Sequence, residues 1–576
     1  MRNIKSKVLA GVFLLSPLAA GVQTASAAPV PGGTLDPLTI PKYVTPLVIP
    51  PVLYDDQGTP NTDPNRPPIE VAQRQITQQV LPAGFPATPL WAYGDPNRPE
   101  TFNNPAFTFE VTQNIETKVQ WINDLTSNGD YLPHIITDDD GNPIIDQTLH
   151  WAAPNQDCLD GIPRTDCRGA SDLPYTGPIP MVVHVHGAHV GPGSDGYPEA
   201  WWLPAADNIP LGYATEGTFF ESDNGLDTAN ARGQGYAINR YPNDQPTTTL
   251  WYHDHTLGMT RLNVYAAGAG FWLIRDANDG ESGLLSGTLP GPAPKAGQDP
   301  NGNTGVRDAI REIPLAIQPK SFNADGTQFY PADRAFFEGL GTGGFFADNT
   351  DVNIPFLPQA NSDIAPVWNP EAFFNTMVVN GNTWPVLNVA PERYRFRVLN
   401  AADSRFLNMS LQAIEQRELP NGKVKEKVLG EVPFYQIGAE QGLLPQVVRI
   451  ETGFATTLPG DGRDVCETGG GKAKPKGGGA GNRNCVNAVP GTFAEQALLV
   501  GPAERADVIV DFGVLPAGTN VVRMINTAAD APFGGFPDVP ADPDTTGQVM
   551  QFTINPALAA AGGDPSTPPA SLVLDR

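Results

Sequence analysis

The chain is poor in histidine, in cysteine and in positive charge. Its 576 residues hold seven histidines and four cysteines, and 36 lysines and arginines stand against 62 acidic residues. The resulting formal charge of −26 removes the basic surface that a nucleic-acid backbone attracts, so no nucleic-acid partner is expected. Long apolar runs are missing too: beyond the N-terminus nothing approaches the roughly 20 residues of a membrane-spanning helix. Uninterrupted helices are disfavoured, because 60 glycines and 60 prolines are spread along the whole length. That distribution suits short strands joined by turns. A hydrophobic content of 40% argues for a folded protein, and the length allows two to four domains.

The N-terminus reads as a secretory signal over residues 1–27. Arg2, Lys5 and Lys7 precede the apolar run "VLAGVFLLSPLAAGV", and small residues follow in "TASAAPV", with Ala25 and Ala27 at the cleavage positions. No twin-arginine pair is present. The mature protein is therefore expected outside the cytoplasm, periplasmic or extracellular, where disulfides form. The four cysteines fall into two local pairs, Cys158 with Cys167 and Cys466 with Cys485. Each encloses a polar, turn-rich loop, and local structural bridges are expected.

An all-β chain with two sandwich domains is the expected architecture. The first domain is placed at residues 28–280, opening on the proline-rich "LDPLTIPKYVTPLVIPPVL", which is expected to run along the surface. In "AFTFEVTQNIETKVQWIND", Phe107, Phe109 and Val111 should face inward, with Thr108, Glu110 and Thr112 outward. "MVVHVH", "TTTLWYHDH" and "GAGFWLIRD" supply further strands. Residues 281–307 have the composition of a linker. The second domain is placed at 308–557, with Tyr394, Phe396 and Val398 alternating with Arg395 and Arg397, and a Gly- and Lys-rich insertion at 463–486. Residues 558–576 read as a linker or tail.

Five of the seven histidines lie in two short segments, "MVVHVHGAHV" and "LWYHDHTLG". Residues two apart on a strand share a face, about 6.5 Å apart at Cα. His184 with His186, and His253 with His255, would therefore each present two imidazoles to one side. If the two strands are neighbours, four imidazoles converge on one polar spot. Neutral imidazole suits copper, zinc, nickel or iron rather than calcium or magnesium. No cysteine lies close enough for a finger-type zinc site. His189 sits an odd number of residues from its pair and should take the opposite face. Asp254, between two candidate ligands, should point away from the metal. His134 and His150 are in loop-like sequence, and Met259 follows the second pair.

The flanking residues narrow the metal. "HVHGAHVGPGSDGYPEAW" and "LWYHDHTLGMTRLNVYAAGAGFWLIRD" resemble two copper-binding motifs of multicopper oxidases, most closely the branch of bacterial spore-coat laccases and bilirubin oxidases. The resemblance continues through "REIPLAIQPKSFNADGTQFYP", "VVNGNTWPVLNVAPERYRFRVLNAADSRFLNMSL" and "GPAERADVIVDF". It implies cupredoxin-like Greek-key sandwiches and a trinuclear copper cluster that reduces dioxygen. Carried over by position, His184 resembles the type 2 copper ligand, and His186, His253 and His255 resemble type 3 ligands. Asp195, in "SDG", resembles an acidic residue that assists proton delivery; it also reads as a plain turn residue before Gly196.

The resemblance is incomplete. The family's cluster draws as many histidines again from a third cupredoxin domain, which also carries a type 1 site with a His-Cys-His segment. No histidine follows His255 in these residues, and neither His-x-x-His-x-His nor His-Cys-His occurs. The resemblance therefore implies half of a trinuclear site, no type 1 copper, and a third domain absent from this chain. The favoured reading is one part of a split oxidase. Dioxygen and an unidentified reducing substrate (a phenol, a bilirubin-like tetrapyrrole, cuprous or manganous ion) would be its reactants. A separate polypeptide carrying the third domain would be its partner. Two alternatives stay open: a non-catalytic exported copper-binding or structural cupredoxin protein, and an inactive truncated oxidase.

Overall fold

A computed structural model describes residues 33–55, 67–126, 178–209, 215–217, 219–222, 232–276, 284, 287–330, 372–451, 465–466, 485–486, 498–530 and 540–574. The N-terminal half contributes β1 (Val52–Asp55), β2 (Ile69–Gln78), β3 (Thr88–Gly94), β4 (Thr108–Thr112) and β5 (Thr117–Asn123). It continues with β6 (Val183–His186), β7 (Arg232–Gly233), β8 (Tyr236–Tyr241), β9 (Thr248–Asp254) and β10 (Gly270–Arg275). Among the described residues these form two sheets, ordered β1-β4-β10-β9-β6 and β3-β2-β5-β8-β7. β4 runs parallel to β10, and β2 parallel to β5, so the chain crosses between the sheets as Greek-key sandwiches require. An aromatic core joins the two layers, with Phe109 stacked 4.5 Å from Trp272 and Trp121 beside Tyr252.

The second half builds a second sandwich, as expected of an all-β, cupredoxin-like chain. A seven-stranded sheet centred on Glu312–Ile317, Arg393–Asn400 and Arg505–Asp511 faces a six-stranded sheet that includes Leu407–Glu418, Val521–Asn526 and Gln548–Ile554. Phe396, Phe512 and Phe552 pack between the layers. No helix among the described residues is long and apolar enough to cross a membrane.

Several expectations are corrected here. Phe109 and Val111 do face the core, but Thr108, Glu110 and Thr112 are equally buried. Arg395 and Arg397 are only 1% exposed. Alternation specifies two faces, and here both faces of β4 and of the Arg393–Asn400 strand are buried near the meeting of the two sandwiches. Buried charges pair at that junction, and one pair, Arg275 with Glu312, crosses it. Arg275 Nη2 reaches Glu110 Oε1 at 2.6 Å and Arg275 Nη1 reaches Glu312 Oε1 at 2.9 Å. Glu312 also takes Arg397 Nε at 2.5 Å, while Arg395 Nε donates to Asp507 Oδ1 at 2.9 Å.

The proline-rich N-terminal segment runs along the surface in part, with Leu38 and Val44 exposed, but its later residues are docked. Leu47 and Ile49 are buried in the core of the second sandwich, although the segment belongs by sequence to the first domain. Its backbone is satisfied there: Tyr43 N donates to Trp384 O at 2.8 Å and Leu47 N to Val386 O at 2.8 Å. Asn380 Nδ2 donates to Val48 O at 2.8 Å and Asn382 Nδ2 to Pro46 O at 2.9 Å. The C-terminal stretch is also docked, with Arg393 Nη2 on Ser566 O at 2.6 Å and Leu572 and Leu574 buried beside Ile437 and Ile509. The signal segment, Cys158, Cys167, His134 and His150 lie outside the described residues. Of the 463–486 insertion, a short antiparallel ribbon places Cys466 opposite Cys485 in backbone register.

Candidate metal centre

β6 and β9 are antiparallel neighbours at the edge of their sheet, in a register that sets His184 opposite His253 and His186 opposite Trp251. Val183 and Val185 of β6 enter the aromatic core, so the alternate residues His184 and His186 must face away from it. On β9 the same rule sends Tyr252 inward and Trp251 and His253 outward. His255 follows directly and is fixed by its N–H on Val182 O at 2.8 Å. All four imidazoles meet. His184 lies 5.5 Å from His186, 5.5 Å from His253 and 4.8 Å from His255, ring centre to ring centre. Nitrogens of His184, His186 and His253 all fall within 4.8 Å of one another.

Backbone carbonyls orient the rings. His184 Nδ1 donates to Asp195 O at 2.5 Å, His253 Nδ1 to Asp254 O at 2.6 Å and His255 Nδ1 to Gly196 O at 2.7 Å. A carbonyl only accepts, so each of these rings carries its proton on Nδ1 and keeps the Nε2 lone pair for a metal. His186 instead brings Nδ1 to within 3.3 Å of His253 Nε2. Trp251 stacks on His186 at 5.3 Å and lies tilted against His253 at 4.1 Å.

Burial favours the neutral form of His186, His253 and His255. It holds His253 well below the usual histidine range and lowers His255. Burial, then the Arg505 guanidinium and the neighbouring histidines, lower His186 to about 4. A cluster of neutral nitrogen donors fits copper. Asp195 ends the helical turn Pro192–Asp195, with Oδ1 3.5 Å from His184 Nδ1. The hydrogen bond from His184 lowers its carboxyl below the normal range, so it stands ionised and partly exposed beside the cluster. It is both a turn residue and a carboxylate at the ligands.

Asp254 turns away from the cluster into the protein, as its place between two ligands implies. His189 does not sit on the back of a strand: β6 ends at His186, and Gly187, at φ +88°, turns the chain. His189 is left exposed, with Nδ1 2.8 Å from Asp244 Oδ1. Met259 is buried at the start of α1 (Thr260–Ala267), away from the imidazoles. Sequence reasoning missed Gln245, Gln441 and Arg505, which surround Gly187. The one local signal was the glycine directly after the first histidine pair.

No protein-family model matches the sequence. Over 523 residues it is 28% identical to a laccase of Bacillus subtilis, covering 91% of this chain and 67% of that protein. A laccase of Bacillus stratosphericus is 27% identical over 523 residues, again with 67% of its length covered. Rice multicopper oxidase LPR1 homolog 1 is 27% identical over 492 residues, or 55% of its length. Among solved structures, a variant of the McoA multicopper oxidase of Aquifex aeolicus is similar with a TM-score of 0.45 and 17% identity, covering 89% of this chain and 65% of that one. The sequence thus spans about two thirds of the length of the laccases it matches.

Proposed function

The chain belongs to the multicopper oxidase family, and from that premise we propose that it supplies one half of a trinuclear copper site that reduces dioxygen to water. His184 would hold the type 2 copper, and His186, His253 and His255 the type 3 pair. Copper bound there supplies one-electron chemistry toward dioxygen, drawing on a reducing substrate oxidised elsewhere in the assembly. The observation that carries this reading is the convergence of four imidazoles, three of them held through Nδ1 by backbone carbonyls.

The chain's own residues present ligands, exclude water from one side and handle protons. Trp251 covers the rings from the protein side. Asp195, ionised and reaching solvent, would pass protons toward the His184 side of the cluster through its carboxylate oxygens. The remaining ligands and the type 1 copper would come from polypeptide outside these residues, on this reading a separate chain bearing a third cupredoxin domain. The charged and apolar N-terminal stretch supports a location outside the cytoplasm on this reading.

The test combines this chain, copper and a polypeptide carrying both His-x-x-His-x-His and His-Cys-His. A blue complex that consumes oxygen with a phenolic donor is expected. His186→Ala and His255→Ala should each abolish oxygen uptake while the partner's blue band persists. If both variants consume oxygen as fast as the unaltered chain, the shared cluster is wrong. Copper bound by the chain through these histidines, with no oxygen consumption in any combination, would instead identify an exported copper-binding protein.

A further inference from the structure

The turn that follows His186 is built by both sandwiches. Gly187 O accepts from Gln245 Nε2 at 2.9 Å, contributed by the first sandwich, and from Gln441 Nε2 at 3.1 Å, contributed by the second. The two amides are themselves linked, Gln245 Nε2 donating to Gln441 Oε1 at 2.8 Å. Gln245 Oε1 takes the His189 N–H at 2.7 Å, so one side chain spans the whole turn. The open face of Gly187 lies against Arg505: a Cβ there would stand 2.8 Å from Arg505 Nη2 and 3.2 Å from Gln441 Nε2.

Arg505 also holds the second ligand strand. Its Nε donates to Thr249 O on β9 at 3.0 Å, while Nη2 donates to Glu440 O at 3.1 Å. Glu440 pairs with the same guanidinium, and its carbonyl accepts from Thr248 Oγ1 at 3.0 Å. Arg397 adds a bond to Thr249 Oγ1 at 2.8 Å. The contacts thus fall on the exit of β6, one residue past His186, and on β9, four residues before His253. Among the described residues β6 is the edge strand of its sheet, paired only with β9.

We propose that Arg505 and Gln441 are positioning residues for the metal centre: the second sandwich clamps the Gly187 turn and β9, and so sets the spacing of His186 against His253. The proposal rests on the reading that the imidazole quartet binds copper. It gives the second sandwich, which has no candidate ligand of its own, a direct part in the metal site. A histidine cluster on an edge strand would otherwise follow the strand's own motion, and metal affinity is sensitive to groups that fix ligand orientation.

The test uses the full chain, freed of metal, with Cu(II) alone as the probe. Binding is followed by equilibrium dialysis and by the electron paramagnetic resonance spectrum, with unfolding midpoints measured in parallel. Gln441→Ala and Arg505→Lys should each weaken Cu(II) binding by about tenfold and split one spectral species into several. Gln441 is exposed, so its variant should unfold at the unaltered midpoint. If both variants keep the unaltered affinity and a single spectrum, the clamp is wrong and the copper reading stands. Loss of binding only in step with loss of folding would also overturn it, reducing the contacts to general packing. If the unaltered chain binds no Cu(II) that His253→Ala abolishes, the copper reading itself fails.

Discussion

Asp254 lies between two histidines of the candidate metal centre, yet its carboxylate anchors the strands behind them. It accepts from Val182 N at 3.2 Å, Thr256 N at 2.9 Å, Thr256 Oγ1 at 3.0 Å and Asn263 Nδ2 at 3.0 Å. Asp254→Ala would leave these buried donors without an acceptor. A loss of about 3 kcal/mol is expected, read as a lower urea midpoint. Lys320 gives a second residue-level outcome. Its Nζ is buried on Tyr265 O and Gln328 Oε1, and burial lowers its pKa to about 7. Between pH 8 and 10 the unfolded chain carries a proton on this lysine that the folded chain does not. Stability should therefore rise with pH across that window, by about 1.4 kcal/mol per unit from this group. Lys320→Met should flatten the rise in urea titrations at pH 8 and 9.5, and an equal slope in both proteins would refute the assignment.

At the scale of elements, the Gly187 turn separates a usable ligand strand from an ordinary edge strand. Gly187→Ala combines an unfavourable φ of +88° with a Cβ 2.8 Å from Arg505 Nη2. About 1–3 kcal/mol of destabilisation and weaker Cu(II) binding are expected, checked by unfolding and dialysis on the same preparation. Much of the site was legible at this scale. A period of two puts His184 with His186 and His253 with His255, and it turns Asp254 away. It cannot say what covers a face. Glu110, Arg395 and Arg397 alternate like solvated residues, yet all three are buried. Leu47 and Ile49 were hidden among prolines, because asparagine side chains distant in sequence satisfy their backbone neighbours. Gln441 and Arg505 carried no local signal, since their role exists only once the two sandwiches are docked.

Across the whole molecule, docking depends on charges that would be costly to bury alone. Glu312 stands at the centre, meeting Arg275 at 2.9 Å, Arg397 at 2.5 Å and Arg395 at 3.7 Å. Burial alone would raise its pKa, but Arg275, Arg397 and Arg395 together hold it well below the carboxylate range. A carboxyl depressed in the fold contributes stability that is present above its unfolded value, near 4.3, and is lost as pH falls toward the folded one. Glu312→Gln removes one anion and leaves three buried guanidiniums with only Glu110 and Asp507 beside them. A penalty of about 3–5 kcal/mol at pH 7 is expected, from uncompensated buried charge rather than from the loss of one favourable pair. The variant should lose less further stability than the parent between pH 5 and pH 3, because its side chain has no proton to gain. Denaturant curves at both pH values check the sign. Arg397 bonds to Thr249 on β9 as well as to Glu312. Weakening the junction should therefore also loosen the ligand strand, and Glu312→Gln should bind Cu(II) less tightly even where it remains fully folded. A variant that loses stability but keeps its copper affinity would show the junction and the metal centre to be energetically separate.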